Sequence, residues 1–275
     1  MKTIVIIAAK ELRDGFRNRW IFAAIVLLAT LALVLALVGS APVGAIKASP
    51  LNTTVASLSS LGVYLLPLIA LMLSYNALVG EFEHGTMVLL LTYPAPRWQV
   101  VIGKFVGHLS ILTLAIVIGY GLSGIGIALT GGADAQGWSA FAALIGSSIL
   151  LGAIFISLGY LISSLTTDGN KAAGMAVGLW VLLVVMYDLA LLGVLIADKG
   201  ETISEQLFSW LMLINPTDAY RVFNLTMFQN VNVSAGLAGV GLKVGIGAMT
   251  SLIVMAVWCV APLAATIYIF QHREV

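Results

Sequence analysis

Six long apolar runs divide the chain, and each is close to the length that a helix needs to cross a membrane. The runs cover residues 20–38, 58–79, 105–129, 138–165, 172–197 and 244–270. A bilayer core about 30 Å thick requires about 20 helical residues. Asp188 is the one Asp, Glu, Lys or Arg inside these runs. The pattern predicts an all-α integral membrane protein, with six transmembrane helices in a single domain over residues 1–275.

Residues 1–19 precede the first run and have a different pattern. Apolar residues recur on one helical face and charged residues on another, namely Ile4, Ile7, Ala8, Leu12 and Phe16 against Lys10, Arg13, Asp14 and Arg17. Such a helix lies in the headgroup layer of a membrane. The alternative is a basic flank without a role of its own.

The segment between the fifth and sixth runs, residues 198–243, is too apolar for a free linker. Apolar residues at helical spacing predict a short amphipathic helix on the outer face, with Ile203, Leu207, Trp210, Leu211 and Ile214 on one side. Asn215-Pro216 ends it, and a second apolar piece follows with Val222, Phe223, Leu225, Met227 and Phe228. This loop is expected to cap a pore or to dock an external protein.

Composition agrees with a membrane location. Hydrophobic residues make up 60% of the chain and charged residues 9%, whereas soluble domains carry about 25% charged residues. The net charge of +1 indicates no nucleic-acid partner. If the N-terminus is cytoplasmic, nine Lys and Arg fall inside, namely Lys2, Lys10, Arg13, Arg17, Arg19, Arg97, Lys104, Lys171 and Arg273, and four fall outside, namely Lys47, Lys199, Arg221 and Lys243. The excess predicts that both termini are cytoplasmic.

Residues that carry chemistry are few. The single Cys259 and the three separated histidines offer no metal or haem site. No phosphate-binding loop is found, because Gly103-Lys104 is followed by Phe105 and lacks the upstream glycine. We therefore expect a non-catalytic chain without a cofactor, in which any nucleotide-driven work comes from another chain.

Residues 80–105 form the one charged cluster between two apolar runs. Glu81, Glu83 and Thr86 stand where a helix would begin after Gly80, where carboxylates favour the positive end of the helix dipole. Pro94 and Pro96 end this helix after an apolar stretch. A new helix starts at Arg97-Trp98, with Arg97, Lys104 and His108 on one side. The pattern predicts a short transverse helix between two tight joints.

At these positions the chain resembles the ABC-2 type permeases, also called type V ABC exporters. The matching loop residues are Glu81, Glu83, Gly85, Thr86, Pro94, Arg97 and Lys104. His84 lies between two of them and is assigned to the same coupling site. Lys10-Glu11 and Arg13 are similar to the family's N-terminal connecting helix. The resemblance implies the membrane half of an exporter in the bacterial inner membrane, working as a homodimer with two cytoplasmic ATPase subunits that bind ATP and Mg. Residues 81–94 would be its coupling helix.

Within this family, residues 214–221 and the compact length resemble the branch that serves maturation of nitrous-oxide reductase. Members pair with a cytoplasmic ATPase and a periplasmic β-helical protein and support assembly of a copper-sulfide centre, which implies a sulfur species as cargo. The resemblance implies a periplasmic partner surface or outer gate at Asn215, Pro216, Asp218, Tyr220 and Arg221.

Asp188 has three interpretations. A carboxylate near the centre of a membrane helix costs about 2.5 to 3.5 kcal/mol, so it faces a polar interior or is neutralised. With Tyr187 it lines a pathway or gate, or it makes a structural hydrogen bond to a neighbouring helix, or the outer boundary of the membrane is lower than the end of the run at residue 197. The family resemblance, together with Asp188, places such a pathway at the second and fifth spans. The alternative function is a self-contained secondary transporter or channel with Asp188 as its ion or proton site.

Overall fold

The computed structural model describes residues 2–17, 19–39, 50–87, 96–129, 135–198, 204–227 and 247–273, and this part of the chain contains helices and no strands. The helices are α1 (Lys2–Arg17), α2 (Arg19–Gly39), α3 (Pro50–Ser74), α4 (Val79–Glu83), α5 (Arg97–Leu129), α6 (Ala135–Leu165), α7 (Gly169–Trp180), a π-helical segment (Val181–Met186), α8 (Tyr187–Asp198), α9 (Glu205–Ile214), α10 (Pro216–Met227) and α11 (Ala248–His272).

Five helical stretches among these residues are long and apolar enough to cross a membrane. They are Thr54–Glu83, Arg97–Leu129, Gly137–Leu165, Gly169–Asp198 and Ala248–His272. They contain the second to sixth predicted runs, apart from residues 244–247. Residues 244–246 lie outside the described residues, and Gly247 is the N-cap of the last helix. The first run, 20–38, falls in α2. Within α2, the described apolar helical part Val26–Leu35 is too short on its own to cross a membrane. The count of six spans therefore remains a prediction.

Helix α6 occupies the centre of the bundle, where most of its apolar length is buried. It packs against α3 and α11, while α5 packs against α1 and α2. Small residues permit these close approaches. On α5, Gly107 faces α1 so closely that an added Cβ would lie 2.6 Å from the Cβ of Glu11.

Two ends of the bundle can be distinguished. Helix α4 lies at one end, where α3 finishes, α5 begins, α6 leads into α7, and α11 finishes. We call this the α4 end. The other end, near residues 129, 135 and 198, is called the opposite end.

Helices α9 and α10 fold back into the bundle from the opposite end. The Asn215 side chain between them donates to the Leu183 carbonyl oxygen over 2.7 Å, and Leu183 is halfway along the stretch Gly169–Asp198. Leu183 is 15 residues before Asp198, which corresponds to about 22 Å along the helix axis from the opposite end. Trp258 Nε1, near the middle of α11, donates to the Ile214 carbonyl oxygen. The loop helices thus reach the depth of the bundle centre, deeper than the outer face on which we expected them.

The buried side of α9 differs from the expected one. Leu207, Trp210 and Ile214 are exposed, by 52%, 53% and 56%, whereas Phe208 and Met212 on the other side are buried. Because this helix is apolar nearly all round, its sequence period does not distinguish the two faces. Ile203 and Phe228, which we also assigned to this loop, lie outside the described residues.

Candidate coupling site

The α4 helix is a single short turn joined to a glycine bend. The helix ends at Glu83, and Gly85 follows with φ of +68°, a left-handed conformation that glycine adopts without strain. The bend returns Thr86 to Glu81, where its hydroxyl donates to the carboxylate. The backbone is again helical at Thr86 and Met87. Of the predicted coupling helix 81–94, residues 88–94 lie outside the described part, and Pro94 is among them.

Glu81 points into the protein and forms part of a buried charge network. Lys104 on α5 donates to Glu81 Oε1 over 2.8 Å and to Glu11 Oε1 on α1 over 2.7 Å. The other oxygen of Glu11 lies 3.5 Å from His108 Nε2. His108 Nδ1 is 2.8 Å from the hydroxyl of Tyr160 on α6. One lysine thus connects α1, α4 and α5, and the histidine continues the connection to α6.

Burial makes this network sensitive to the loss of one partner. Lys104 is 3% exposed. Burial alone would raise the pKa of Glu11, but the Lys104 ammonium outweighs it and holds that pKa below its ordinary value. Removing one partner of a buried ion pair costs about 3–5 kcal/mol because the other charge remains without compensation. The two carboxylates therefore fix the position of α4 relative to α1 and α5.

Glu83 connects α4 to the start of α7. Its Oε1 accepts from the Gly169 backbone N–H over 2.8 Å, one of the donors that a helix N-terminus leaves free. Asp168 caps the same terminus through Asn170 and Lys171 N–H groups. On the other side, the Ser163 hydroxyl of α6 accepts from the Leu78 and Val79 N–H groups, both over 3.0 Å. Side chains from several helices therefore satisfy the free donors at this end.

Arg97 binds the end of α11. Its Nη1 donates to the carbonyl oxygens of Phe270, Gln271 and Arg273 over 3.2, 3.3 and 2.6 Å. These carbonyls have no partner within their own helix, so a cation there is favourable. Arg97, Lys104 and Glu81, separated in sequence, thus hold the same end of the bundle together.

The exposed edge of α4 comprises Glu83, His84, Gly85 and Thr86. Glu81 is less accessible than these residues, with a side chain 17% exposed. The eight predicted coupling residues therefore divide into an exposed edge, an internal set of Glu81, Arg97 and Lys104, and the undescribed Pro94.

A second cluster of charges lies between α8 and α10. Arg221 Nη1 donates to Asp188 Oδ2 over 2.5 Å and to Asp218 Oδ1 over 2.9 Å. Its guanidinium lies 5.9 Å from the ring centroid of Tyr64 on α3. One cation therefore serves two carboxylates, and Asp188 Oδ1 is a buried atom without a hydrogen-bond partner among the described residues. The contact agrees with the structural interpretation of Asp188 that the sequence left open.

The carboxylates in this cluster differ in their surroundings. Burial and the neighbouring Asp188 carboxylate raise the pKa of Asp218 to about 7, against the opposing effect of Arg221. Asp218 also accepts from Asn215 Nδ2 over 3.1 Å. When one of the two carboxyl groups carries a proton, the positive guanidinium of Arg221 faces one negative carboxylate, and the net charge of the cluster is zero.

The π-helical segment explains why Asn215 and Thr217 contact the neighbouring helix. A π-type turn changes the backbone pairing of the helix, and the Leu183 carbonyl in this segment accepts from Asn215 Nδ2 and Thr217 Oγ1. The Tyr187 hydroxyl donates to the Leu211 carbonyl over 2.6 Å. These contacts join α9 and α10 to the middle of the stretch Gly169–Asp198.

The residues assigned to a periplasmic partner surface are largely buried. Asn215, Asp218 and Tyr220 are at most 2% exposed, Pro216 is buried, and Arg221 is half-buried. The Tyr220 hydroxyl lies 3.0 Å from that of Ser148 on α6. In this structure these side chains hold α10 in the bundle and do not form an open surface.

Several residues that form the coupling site were not predicted from the sequence to belong to it. Glu11 was noted only for its likeness to a connecting helix, and His108 only for its place on the Lys104 side of α5. Tyr160, Ser163 and Arg273 carry no local motif, and they come together through helix packing. Among the described residues, no group of three His, Cys, Asp or Glu is placed to hold a metal ion.

Comparison with known proteins assigns this architecture to a class. The model of the ABC-2 family transporter proteins matches residues 5–275, and the chain belongs to that family. It is therefore a multi-pass membrane permease of an ABC transporter.

Two relatives indicate a branch of the family. The chain is 42% identical over 277 residues to the "Probable ABC transporter permease protein NosY" of Pseudomonas aeruginosa, with 100% of both chains covered. It is also 42% identical over 270 residues to the protein of the same description from Stutzerimonas stutzeri, with 97% of both chains covered. The chain is thus a NosY-like permease.

Proposed function

We propose that this chain is the force-receiving membrane subunit of an ABC exporter in the bacterial inner membrane, with α4 as its coupling helix. A homodimer of the chain would bind two cytoplasmic ATPase subunits, which hold ATP and Mg. The observation that carries the proposal is the set of connections made by α4, which reach α1, α5, α6, α7 and α11. A push on α4 therefore acts on most of the bundle.

The exposed and buried residues of α4 have different roles in this proposal. His84, Gly85 and Thr86 form the edge that contacts the ATPase, because they are exposed. Glu81 and Glu83 pass the displacement inward, through Lys104 and through the Gly169 N–H group. Both termini are then cytoplasmic, in agreement with the excess of basic residues expected there.

The opposite end would hold the outer gate. The cluster of Asp188, Asp218 and Arg221 joins α10 to α8, and the Tyr64 ring brings in α3. Opening a pathway between the second and fifth spans would require these contacts to separate. A periplasmic β-helical partner would bind outside this cluster, where α9 exposes Leu207 and Trp210.

The cargo proposed is a sulfur species delivered for assembly of the copper-sulfide centre of nitrous-oxide reductase. Support comes from the names of the two relatives and from their match over nearly the whole chain. The chain's own residues agree with transport powered by a separate ATPase, since the Asp188 carboxylate is paired with Arg221. A self-contained ion transporter with Asp188 as a free site has less support.

Cross-linking tests the coupling role. In a Cys259→Ser background, His84→Cys places one thiol on the exposed edge of α4, and Leu129→Cys places one on an 83% exposed residue at the opposite end. With the partner ATPase co-expressed in native membranes, we expect a bifunctional thiol reagent to cross-link it at residue 84 and not at residue 129.

A membrane-impermeant thiol reagent added to spheroplasts supplies the orientation control. It should label the thiol at residue 129 and leave that at residue 84 unlabelled. The proposal is wrong if the ATPase is captured from residue 129, or if residue 84 is labelled from outside.

A further inference from the structure

We infer that Arg273 is a positioning residue for the coupling helix, which it holds against the ends of α6 and α11. The inference rests on the proposed role of α4 in coupling. Its physical content, that Arg273 fixes the place of Phe82, can be tested independently of that role.

The guanidinium of Arg273 connects two other elements. It lies 4.3 Å from the ring centroid of Phe82, the middle residue between Glu81 and Glu83. Its Nη1 donates to the Ser164 carbonyl and its Nη2 to the Thr166 carbonyl, both over 3.0 Å. The side chain therefore lies between the coupling helix and the last turn of α6.

The Phe82 ring has a second neighbour at the end of α11, the helix that Arg273 directly follows. The ring of Phe270 packs edge to face against it, with centroids 6.3 Å apart and planes at 72°. Phe270 is fully buried. Phe82 thus has a cation over its ring and an aromatic edge at its side, an arrangement that the ring quadrupole favours.

The positive charges of Arg97 and Arg273 face backbone carbonyl groups and not carboxylates. Among the described residues, neither Arg97 nor Arg273 takes part in a salt bridge. Arg273 donates to carbonyls at the end of α6, and Arg97 to those at the end of α11. These carbonyls form the negative ends of helix dipoles. The two arginines therefore join helix ends that would otherwise repel one another.

Arginine suits this position better than lysine. Its planar fork donates two hydrogen bonds in its own plane and presents a flat face to the ring, whereas an ammonium group does neither. Displacing Phe82 therefore disturbs the contacts of α6 and α11 together. In this way a push on α4 reaches the last span, through a route separate from the Lys104 network.

The first measurement is hydrogen exchange of the full chain in nanodiscs. The amides of residues 81–85 are bonded within α4 and its turn, and we expect Arg273→Ala to raise their exchange rates about tenfold. Arg273→Lys should give an intermediate increase. His272→Ala is the matched control, because its ring contacts Tyr268 and not α4. Amides of residues 150–160 should stay protected in every variant, which shows that the bundle is intact.

A double-mutant cycle makes the test independent of folding. Phe82→Leu keeps an apolar side chain but removes the ring, and its effect on exchange should not add to that of Arg273→Ala. Additive effects, or unchanged exchange at residues 81–85 in Arg273→Ala, would overturn the inference.

The cross-link at residue 84 then separates the two proposals. If the chain with Arg273 intact captures no ATPase while Arg273→Ala still frees residues 81–85, the coupling role of α4 fails and the positioning role stands. If capture succeeds and Arg273→Ala leaves both exchange and ATP hydrolysis by the complex unchanged, Arg273 has no positioning role.

Discussion

At the scale of single residues, the charges of this membrane protein are gathered where they act on more than one helix. Lys104 connects two carboxylates from different helices, and Arg221 connects two more at the other cluster. Each cluster holds two carboxylates and one cation, but the carboxylates differ in pKa. Lys104 holds the pKa of Glu11 below its ordinary value, whereas burial and Asp188 raise that of Asp218. The second cluster is therefore the one that should respond to pH.

The response follows from the raised pKa of Asp218. In the folded chain this carboxyl keeps its proton up to about pH 7, whereas its ordinary value is 3.8. The folded state thus binds one more proton between these values, so the stability that this carboxyl contributes is fully present below its ordinary pKa and is lost as the pH rises to about 7. The groups facing Asp218 are Asp188 and Arg221, and the Tyr187 and Tyr64 rings are near them. We expect the thermal unfolding midpoint in nanodiscs to fall by a few degrees between pH 5 and pH 8.

Asp218→Asn is the control for this pH dependence. It leaves one carboxylate with Arg221 and should remove most of the decrease. An equal decrease in the variant would assign the effect to another group.

At the scale of elements, hydropathy predicted the long helices, and it could not predict how they pair. The runs from 58 to 79 and from 105 to 129 lie inside helices of the expected type. The inner face of α9 was not predictable, because both of its faces are apolar. Nor did the sequence show that Glu11 meets Lys104, since the contact joins residues 93 positions apart. That meeting depends on the close packing of α1 on α5, which Gly103 and Gly107 permit, because an added Cβ at either would lie within 3 Å of a side chain of α1.

Gly107 tests this packing. An added Cβ would lie 2.6 Å from the Glu11 Cβ and 3.1 Å from the Ala8 carbonyl oxygen, so Gly107→Ala must displace α1. We expect a loss of about 1–3 kcal/mol, measured by reversible unfolding in mixed micelles, together with a weaker cross-link at residue 84. Gly121→Ala on the same helix meets nothing within 4 Å, and should be neutral or stabilising by up to about 1 kcal/mol. Equal effects of the two substitutions would exclude packing as the cause.

At the scale of the whole molecule, the two charge clusters lie on opposite parts of the bundle, and the long helices connect them. Helix α5 begins beside α4 and carries Tyr120 deep in the bundle, where an added Cβ at Gly62 would meet the hydroxyls of Tyr120 and Tyr220. Helix α6 carries both Ser163, bound to the start of α4, and Ser148, close to the Tyr220 hydroxyl. A displacement at one cluster therefore has direct paths to the other.

Complementation tests the proposed role in maturation of nitrous-oxide reductase at this scale. We expect the chain to restore nitrous-oxide reduction in a Pseudomonas aeruginosa strain that lacks its own NosY-named permease, because the two chains match over their full lengths. Arg97→Ala, expressed at the same level, should restore less. Failure of the unsubstituted chain, with ATPase capture intact at residue 84, would contradict the role in reductase maturation and leave the coupling role in place.

The π-helical segment Val181–Met186 has a consequence for the orientation of everything after it. A bond to the fifth residue in place of the fourth takes up one more residue in the turn, and one residue corresponds to a rotation of about 100° around the helix axis. The second half of the Gly169–Asp198 stretch is therefore turned relative to the first. Trp180 and Asp188, eight residues apart, would be about 80° apart in a regular α-helix, and the inserted residue reduces this angle to about 20°. Asp188, which binds Arg221, therefore lies close to the face of Trp180, which donates to the Tyr64 carbonyl. One inserted residue thus brings a hydrogen-bond donor and a carboxylate from two halves of the stretch to the same neighbour, around Tyr64.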